Sequence, residues 1–100
     1  MPLTGDILPP TADIAPTTDT AVITFDTTHQ AMAAEDILRQ AGFPLEVVPP
    51  PRSLSAGCGL ALRLALADIG AALAELRTRG AGWAGAYRLD AAQRVVARVE

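Results

Sequence analysis

The stretch that decides the fold is residues 21–42, AVITFDTTHQAMAAEDILRQAG, in which a short apolar segment is followed by an amphipathic one. Residues 21–25 are apolar and rich in β-branched side chains, which predicts a strand buried on both faces. Thr27 and Gln30 have capping-box spacing, so we expect a helix to begin there and to end at Gly42. Between these limits apolar residues recur at helical spacing: Ala31, Ala34, Ile37, Leu38 and Ala41.

The rest of the chain continues this alternation of strands and helices. The further expected elements are strand two (45–48), strand three (60–65), a second helix capped by Asp68 and followed by Gly80, and strand four (83–89). Three prolines at 49–51 close strand two, as suits a strand end or a sheet edge. Residues 90–100 fit either a short helix or an added strand.

The resulting order βαββαβ is that of a ferredoxin-like sandwich, an α/β fold of the α+β type. Its antiparallel sheet has the usual strand order 4-1-3-2, and both helices cover one face. We expect residues 1–20 to form a flexible Pro/Thr-rich tail, residues 21–89 the domain, and residues 90–100 a C-terminal extension.

Composition narrows the functional classes. Eight Arg with no Lys, against eleven Asp and Glu, give a formal net charge of −3, which argues against nucleic acid or an anionic membrane as the main partner. No stretch is long and apolar enough to span a bilayer, and the N-terminus lacks a signal-peptide pattern. The single cysteine cannot form an internal disulfide, which favours a reducing, cytoplasmic compartment. One Cys and one His are too few ligands for a metal site within one chain.

Cys58 is the candidate reactive group. It lies between Gly57 and Gly59, which remove side chains on both sides and leave the sulfur accessible. Ser55 precedes it at a position that suits a local turn hydrogen bond. The alternative, a small buried thiol without chemistry, is less favoured because structural cysteines usually lie among aliphatic side chains.

The predicted topology brings this loop beside the start of helix one, at Thr27, Thr28 and His29. A helix N-terminus carries partial positive charge, and an imidazole can share a thiol proton, so both would lower the pKa of the thiol. Arg52 could add a fixed charge or bind an anion. For His29 a plain surface position, and for Arg52 simple solvation of the loop, remain equal alternatives.

Glu35 lies further along helix one. An ion pair with Arg39, four residues on, is the favoured interpretation of this carboxylate, ahead of a role in the site.

Two stretches resemble the selenium or sulfur carrier protein-like family of small bacterial proteins. Residues 25–31, FDTTHQA, with Glu35 downstream, are similar to the family's Phe-x-Ser/Thr-Thr-His-x-Ala segment. Residues 48–52, VPPPR, followed by 55–63, SAGCGLALR, look like its Pro-x-Pro-Arg…Ser-x-x-Cys-Gly stretch. The resemblance covers about residues 21–89 and implies a cysteine that carries sulfur or selenium between donor and acceptor proteins, without a cofactor. It implies a carrier or sulfurtransferase-like protein rather than a free-standing enzyme.

Three functions are therefore open. The first is a carrier in which Cys58 accepts a persulfide or selenopersulfide. The second is a redox-sensing or metal-binding module, in which Cys58 forms a mixed disulfide or binds a soft metal together with a partner chain. The third is an interaction domain that forms a homodimer through an exposed sheet face or an edge strand. Fold alone does not choose between them.

Overall fold

The computed structural model describes residues 19–54 and 59–100. In chain order, the elements are β1 (Thr20–Thr24), α1 (Thr28–Gln40), β2 (Glu46–Val48), β3 (Ala61–Ala65), α2 (Leu66–Thr78), β4 (Gly85–Leu89) and β5 (Val95–Arg98). The strand–helix–strand–strand–helix–strand sequence is the predicted one, with a fifth strand added. The fold is therefore α+β, as expected.

The strands form one antiparallel sheet in the order β2-β3-β1-β4-β5. The predicted order 4-1-3-2 is confirmed for the first four strands. β3 lies beside β1 and runs the other way, with Thr24 opposite Ala61 at one end and Thr20 opposite Ala65 at the other. This register places the start of β3 at the end of β1.

Both helices pack on the same face of the sheet, which we call the helix-covered face. Alternate residues of the central strands point into it, including Ile23 and its register partners Leu62 and Ala86. Leu38 of α1 and Leu76 of α2 are fully buried against them. The fully buried Phe25, together with aliphatic and alanine side chains, fills this layer at the close packing typical of protein interiors.

The opposite face of the sheet, which we call the open face, has a smaller apolar cluster. Val22, Ala61 and Leu89 are buried there, and Tyr87 packs partly against them. No described helix covers this side. Loop residues cover part of the open face instead, and some of them line the cavities described below.

Sequence-encoded caps set the limits of α1. Thr27 Oγ1 accepts a hydrogen bond from the N–H of Gln30 at 3.1 Å, and Gln30 Oε1 accepts one from the N–H of Asp26 at 3.1 Å. The predicted capping residue is therefore confirmed. At the other end, Gly42 has a φ of 91°, and the N–H of Phe43 reaches back to the carbonyl of Leu38 at 3.0 Å. This is the Schellman ending expected of a terminal glycine.

The prediction that Asp68 caps α2 is wrong. The helix begins at Leu66 directly after β3, its N-cap is Ala65, and no side chain caps it. The start is fixed by the backbone, because the N–H of Leu66 donates to the carbonyl of Asp19 at 2.9 Å. Asp68 instead lies in the first turn, where a carboxylate interacts favourably with the helix dipole.

The C-terminal segment is resolved as an added strand. β5 pairs with β4, with Tyr87 opposite Arg98 and an irregularity between Arg88 and Leu89. Residues 90–94 form the connecting turn, in which Gln93 has a φ of 65°. The extension thus belongs to the sheet. Of the segment 1–20 that was expected to be a flexible tail, residues 1–18 lie outside the described residues, and Thr20 is the first residue of β1.

Candidate functional site

Several segments meet at the end of the sheet where α1 begins. Thr24, the last residue of β1, is in register with Ala61 at the start of β3 and with Gly85 at the start of β4. The N–H of Ala84 donates to the carbonyl of Thr24 at 2.7 Å, and Leu60 packs against the core on the helix-covered face. The end of β1 and the starts of β3 and β4 therefore lie together at the end of the sheet where α1 begins.

The start of α1 presents Thr27, Thr28 and His29 at this edge. The Thr27 hydroxyl already accepts the N–H of Gln30, so its primary role is to cap the helix. Thr28 is the first residue of the helix, and His29 is exposed in the first turn. The helix dipole gives this first turn of α1 a partial positive charge.

The candidate reactive residue itself, with Ser55 and Gly57, lies outside the described residues. The residues that the structure describes end at Leu54 before this segment and begin again at Gly59, which is exposed. Gly59 is followed by Leu60, so the chain enters β3 at the edge where α1 begins.

Arg52 lies in different surroundings from the start of α1. The proline segment 49–51 lies over the open face, where Pro49 and Pro51 line a cavity of about 100 Å³ with Val22 and Leu89. Arg52 and its neighbour Ser53 then line a second cavity, with Pro51, Gln93, Arg94 and Val95. Among the described contacts, the structure therefore groups Arg52 with the β4–β5 turn rather than with His29.

The Glu35 carboxylate forms an ion pair within α1. Its Oε2 atom lies 2.9 Å from Nε of Arg39, one helical turn further on. This is the ion pair that its spacing favours, and such exposed pairs contribute a few tenths of a kcal/mol, about 0.3–0.5.

A polar network on the open face was not anticipated from the sequence. Arg63 pairs with Glu46 through one Nη atom and donates from the other to Gln93 Oε1 at 2.7 Å. Gln93 Nε2 in turn contacts Thr20 Oγ1 at 3.4 Å and the Asp90 carbonyl at 3.2 Å. Arg63 is the only charged residue in the segment 60–65, LALRLA, and this was the available sign that it has a specific partner. Nothing in the local sequence pattern indicated Gln93.

Asp90 fixes the turn that carries Gln93. Its Oδ1 atom accepts the backbone N–H groups of Ala92 and Arg94, each at 2.9 Å. The N–H of Arg94 is the main cause that lowers the pKa of the Asp90 carboxyl, and the positive Arg94 side chain and the N–H of Ala92 act in the same direction. Desolvation opposes the shift. The turn is therefore held by a carboxylate that stays ionised.

Residues 19–54 and 59–100 contain no group of three or more His, Cys, Asp or Glu side chains arranged to hold a metal ion. Within the same residues, neither helix has the length and apolar character needed to cross a membrane.

The fold defines a small α+β domain. In its sequence the single cysteine, flanked by two glycines, shortly precedes β3, and β3 starts at the edge where α1 begins. Residues 20–88 match the family described as "putative Se/S carrier protein-like", and the chain belongs to that family. The resemblance drawn from the two sequence stretches is thereby confirmed. No curated protein and no solved structure matches the chain significantly.

Proposed function

We propose that the protein carries sulfur or selenium on Cys58 between a donor and an acceptor protein. The observation that carries this proposal is family membership over residues 20–88, because that segment contains the chain's only cysteine. Carriers of this kind need no cofactor, and we assign the protein to the cytoplasm, where a lone thiol stays reduced.

The transfer step is a thiol–persulfide exchange. The Cys58 thiolate attacks the terminal sulfur of a donor persulfide, the donor's S–S bond breaks, and the donor cysteine leaves as a thiolate. A new S–S bond forms on Cys58, so the outer sulfur changes carrier without any net oxidation or reduction. Replacing the outer sulfur by selenium gives the same balance, and an acceptor nucleophile repeats the exchange in the forward direction.

We infer that the start of α1 promotes the thiolate. Thr27, Thr28 and His29 lie at the edge where the chain enters β3, and a helix N-terminus stabilises a nearby anion. In this proposal Gly57 and Gly59 keep the sulfur accessible and Ser55 forms the local turn.

Two of the sequence candidates receive other roles. Glu35 supports α1 through Arg39. Arg52 lines the cavity by the β4–β5 turn, and in this proposal we give it no role on the thiolate.

Intact-mass measurement after incubation with a cysteine desulfurase and its substrate tests the carrier function. We expect one added sulfur, about 32 Da, which reductant removes. Cys58→Ser is the matched control, because it replaces only the sulfur atom by oxygen. An unmodified wild-type protein, or an adduct that persists in Cys58→Ser, would sink the proposal.

The role of the helix edge is tested by alkylation of Cys58 as a function of pH. We expect an apparent pKa below the free-thiol reference of about 8.5, moving upward in His29→Ala. Met32→Ala, an exposed residue one turn further along α1, is the control and leaves the titration unchanged. A titration at the free-thiol value would remove the proposed role of this edge.

The same preparations distinguish the two other functions. A mass change in solution that requires Cys58 and an oxidant or a soft metal indicates a sensing or metal-binding module. A dimer that persists under all conditions, together with an unmodified Cys58, indicates an interaction domain.

A further inference from the structure

The second cavity of the open face, beside the β4–β5 turn, is a feature of the described residues that the carrier function does not use. It has a volume of about 490 Å³ and is lined by Pro51, Arg52, Ser53, Gln93, Arg94 and Val95. This volume lies within the usual range for small-molecule sites, which are mostly apolar with a few polar groups placed among them. The lining fits that description, because Pro51 and Val95 are apolar and two guanidinium groups are present.

Charge is unevenly distributed around this cavity. The chain as a whole is acidic, with a formal net charge of −3. Arg52 forms no ion pair in the part of the chain that the structure describes. Arg94 approaches one carboxylate, with Nε 3.4 Å from Asp90 Oδ2, and its side chain is 79% exposed. The cavity therefore has two guanidinium groups and one nearby carboxylate, that of Asp90. This carboxylate already accepts hydrogen bonds from two backbone N–H groups.

The wall of the cavity is held in place before any ligand arrives. Gln93 adopts a left-handed backbone conformation, which is uncommon for a non-glycine residue. Its side chain is fixed by Arg63 at 2.7 Å and by the Asp90 carbonyl at 3.2 Å. Strained residues that the surroundings hold in this way concentrate at ligand sites. Because Gln93 precedes Arg94, the same contacts hold the backbone from which the second guanidinium extends.

We propose that this cavity binds a small organic oxyanion, with its phosphate-like group on Arg52, Arg94 and the Ser53 hydroxyl and its apolar body against Pro51 and Val95. Guanidinium groups suit this chemistry because their planar N–H donors match oxyanion geometry. The site is independent of persulfide transfer, since none of its residues is the thiol.

Binding is tested by NMR titration in the Cys58→Ser background, with inorganic phosphate and phenyl phosphate as probes at low ionic strength. We expect saturable shifts confined to the amides of Ser53 and 93–95. Phenyl phosphate should bind about 3- to 10-fold more tightly than inorganic phosphate, because its ring covers apolar surface. Equal affinity for the two probes would overturn the organic-ligand class.

Matched arginine variants identify the groups involved. Arg52→Gln and Arg94→Gln should each weaken phenyl phosphate binding about 3- to 10-fold, since each removes a charge-assisted contact at an exposed site. Arg88→Gln removes an exposed arginine outside the cavity and should leave binding unchanged. Equal losses in all three variants, or shifts that do not saturate, would show an adventitious ion only and overturn the proposal. Because the background lacks the thiol, these results are separate from the outcome of the desulfurase experiment.

Discussion

The two faces of one sheet are stabilised by different means. On the helix-covered face, Leu62 and Ile23 pack against Leu38 and Leu76 in a layer of aliphatic side chains, alanines and the fully buried Phe25. On the open face, a small apolar cluster is bordered by a polar network centred on Arg63. The first arrangement follows from hydrophobic burial alone, whereas the second depends on particular hydrogen-bond partners. We conclude that most of the apolar core lies on the helix-covered face, whereas the open face depends more on specific polar partners.

The largest expected effect comes from truncating equivalent leucines on the two faces. Leu62→Ala should lower the free energy of unfolding by about 3–4 kcal/mol, because rigid helices above it prevent the cavity from collapsing. Leu89→Ala should cost about 2 kcal/mol, since the surrounding loops can relax into the space. Both leucines are at most 3% exposed, so burial does not distinguish them. Urea denaturation measures the difference, and equal losses would contradict the contrast between the faces.

The next largest effect concerns the network on the open face. Arg63→Ala should cost about 1–2 kcal/mol, because Glu46 and Gln93 both lose their partner. The Arg63→Met, Glu46→Leu double variant tests the cause, since it removes both charges and keeps apolar volume. We expect it to recover most of the loss. A double variant as unstable as Arg63→Ala would show that the arginine acts through packing and not through its pairing.

A glycine in β4 gives a smaller effect with an unusual cause. A Cβ added at Gly85 would lie 2.6–2.9 Å from atoms of the Tyr87 side chain, so the glycine makes room for that ring. Gly85→Ala should therefore cost about 1 kcal/mol and displace Tyr87 from Arg98, whose guanidinium lies 5.5 Å from the ring centre.

The control for this substitution is Gly70→Ala in α2. Nothing lies within 4 Å of a Cβ built at Gly70, so alanine should stabilise the helix by about 0.5–1 kcal/mol. Thermal unfolding compares the two variants. If both stabilise the protein, the proposed contact between Gly85 and Tyr87 is wrong.

The same contrast explains what the sequence predicts. The helix-covered face was predictable, because its periodic apolar residues and the Thr27 and Gly42 caps are local signals that agree with one another. The edge at which α1 begins followed from topology. The open face was not predictable in the same way: the contact of Gln93 with Arg63 joins residues 30 positions apart, and no short-range pattern encodes it.

Arg52 shows how this affects the site. No short-range pattern indicated its observed neighbours, because the proline segment carries it across the open face to Gln93 and Arg94. The position of the start of α2 was missed for a related reason. The start of α2 is set by the backbone hydrogen bond from Leu66 to Asp19, and no side chain caps the helix.

The smallest expected effect is the pH dependence of the β4–β5 turn. The pKa of Asp90 is lower in the folded protein than its ordinary value, so the ionised form stabilises the fold at all pH values above the unfolded pKa, about 3.9. This stabilisation is lost as the pH falls through the folded pKa.

Asp90→Asn keeps an oxygen that can accept the N–H groups of Ala92 and Arg94 but does not titrate. Wild type should therefore be the more stable protein at neutral pH and should lose that advantage in strong acid. Amide hydrogen exchange at Arg94 and unfolding midpoints at several pH values measure the change. A difference between the two proteins that is the same at every pH would show that the carboxylate holds the turn by geometry alone, and the open face would then keep its ligand-site wall even in acid.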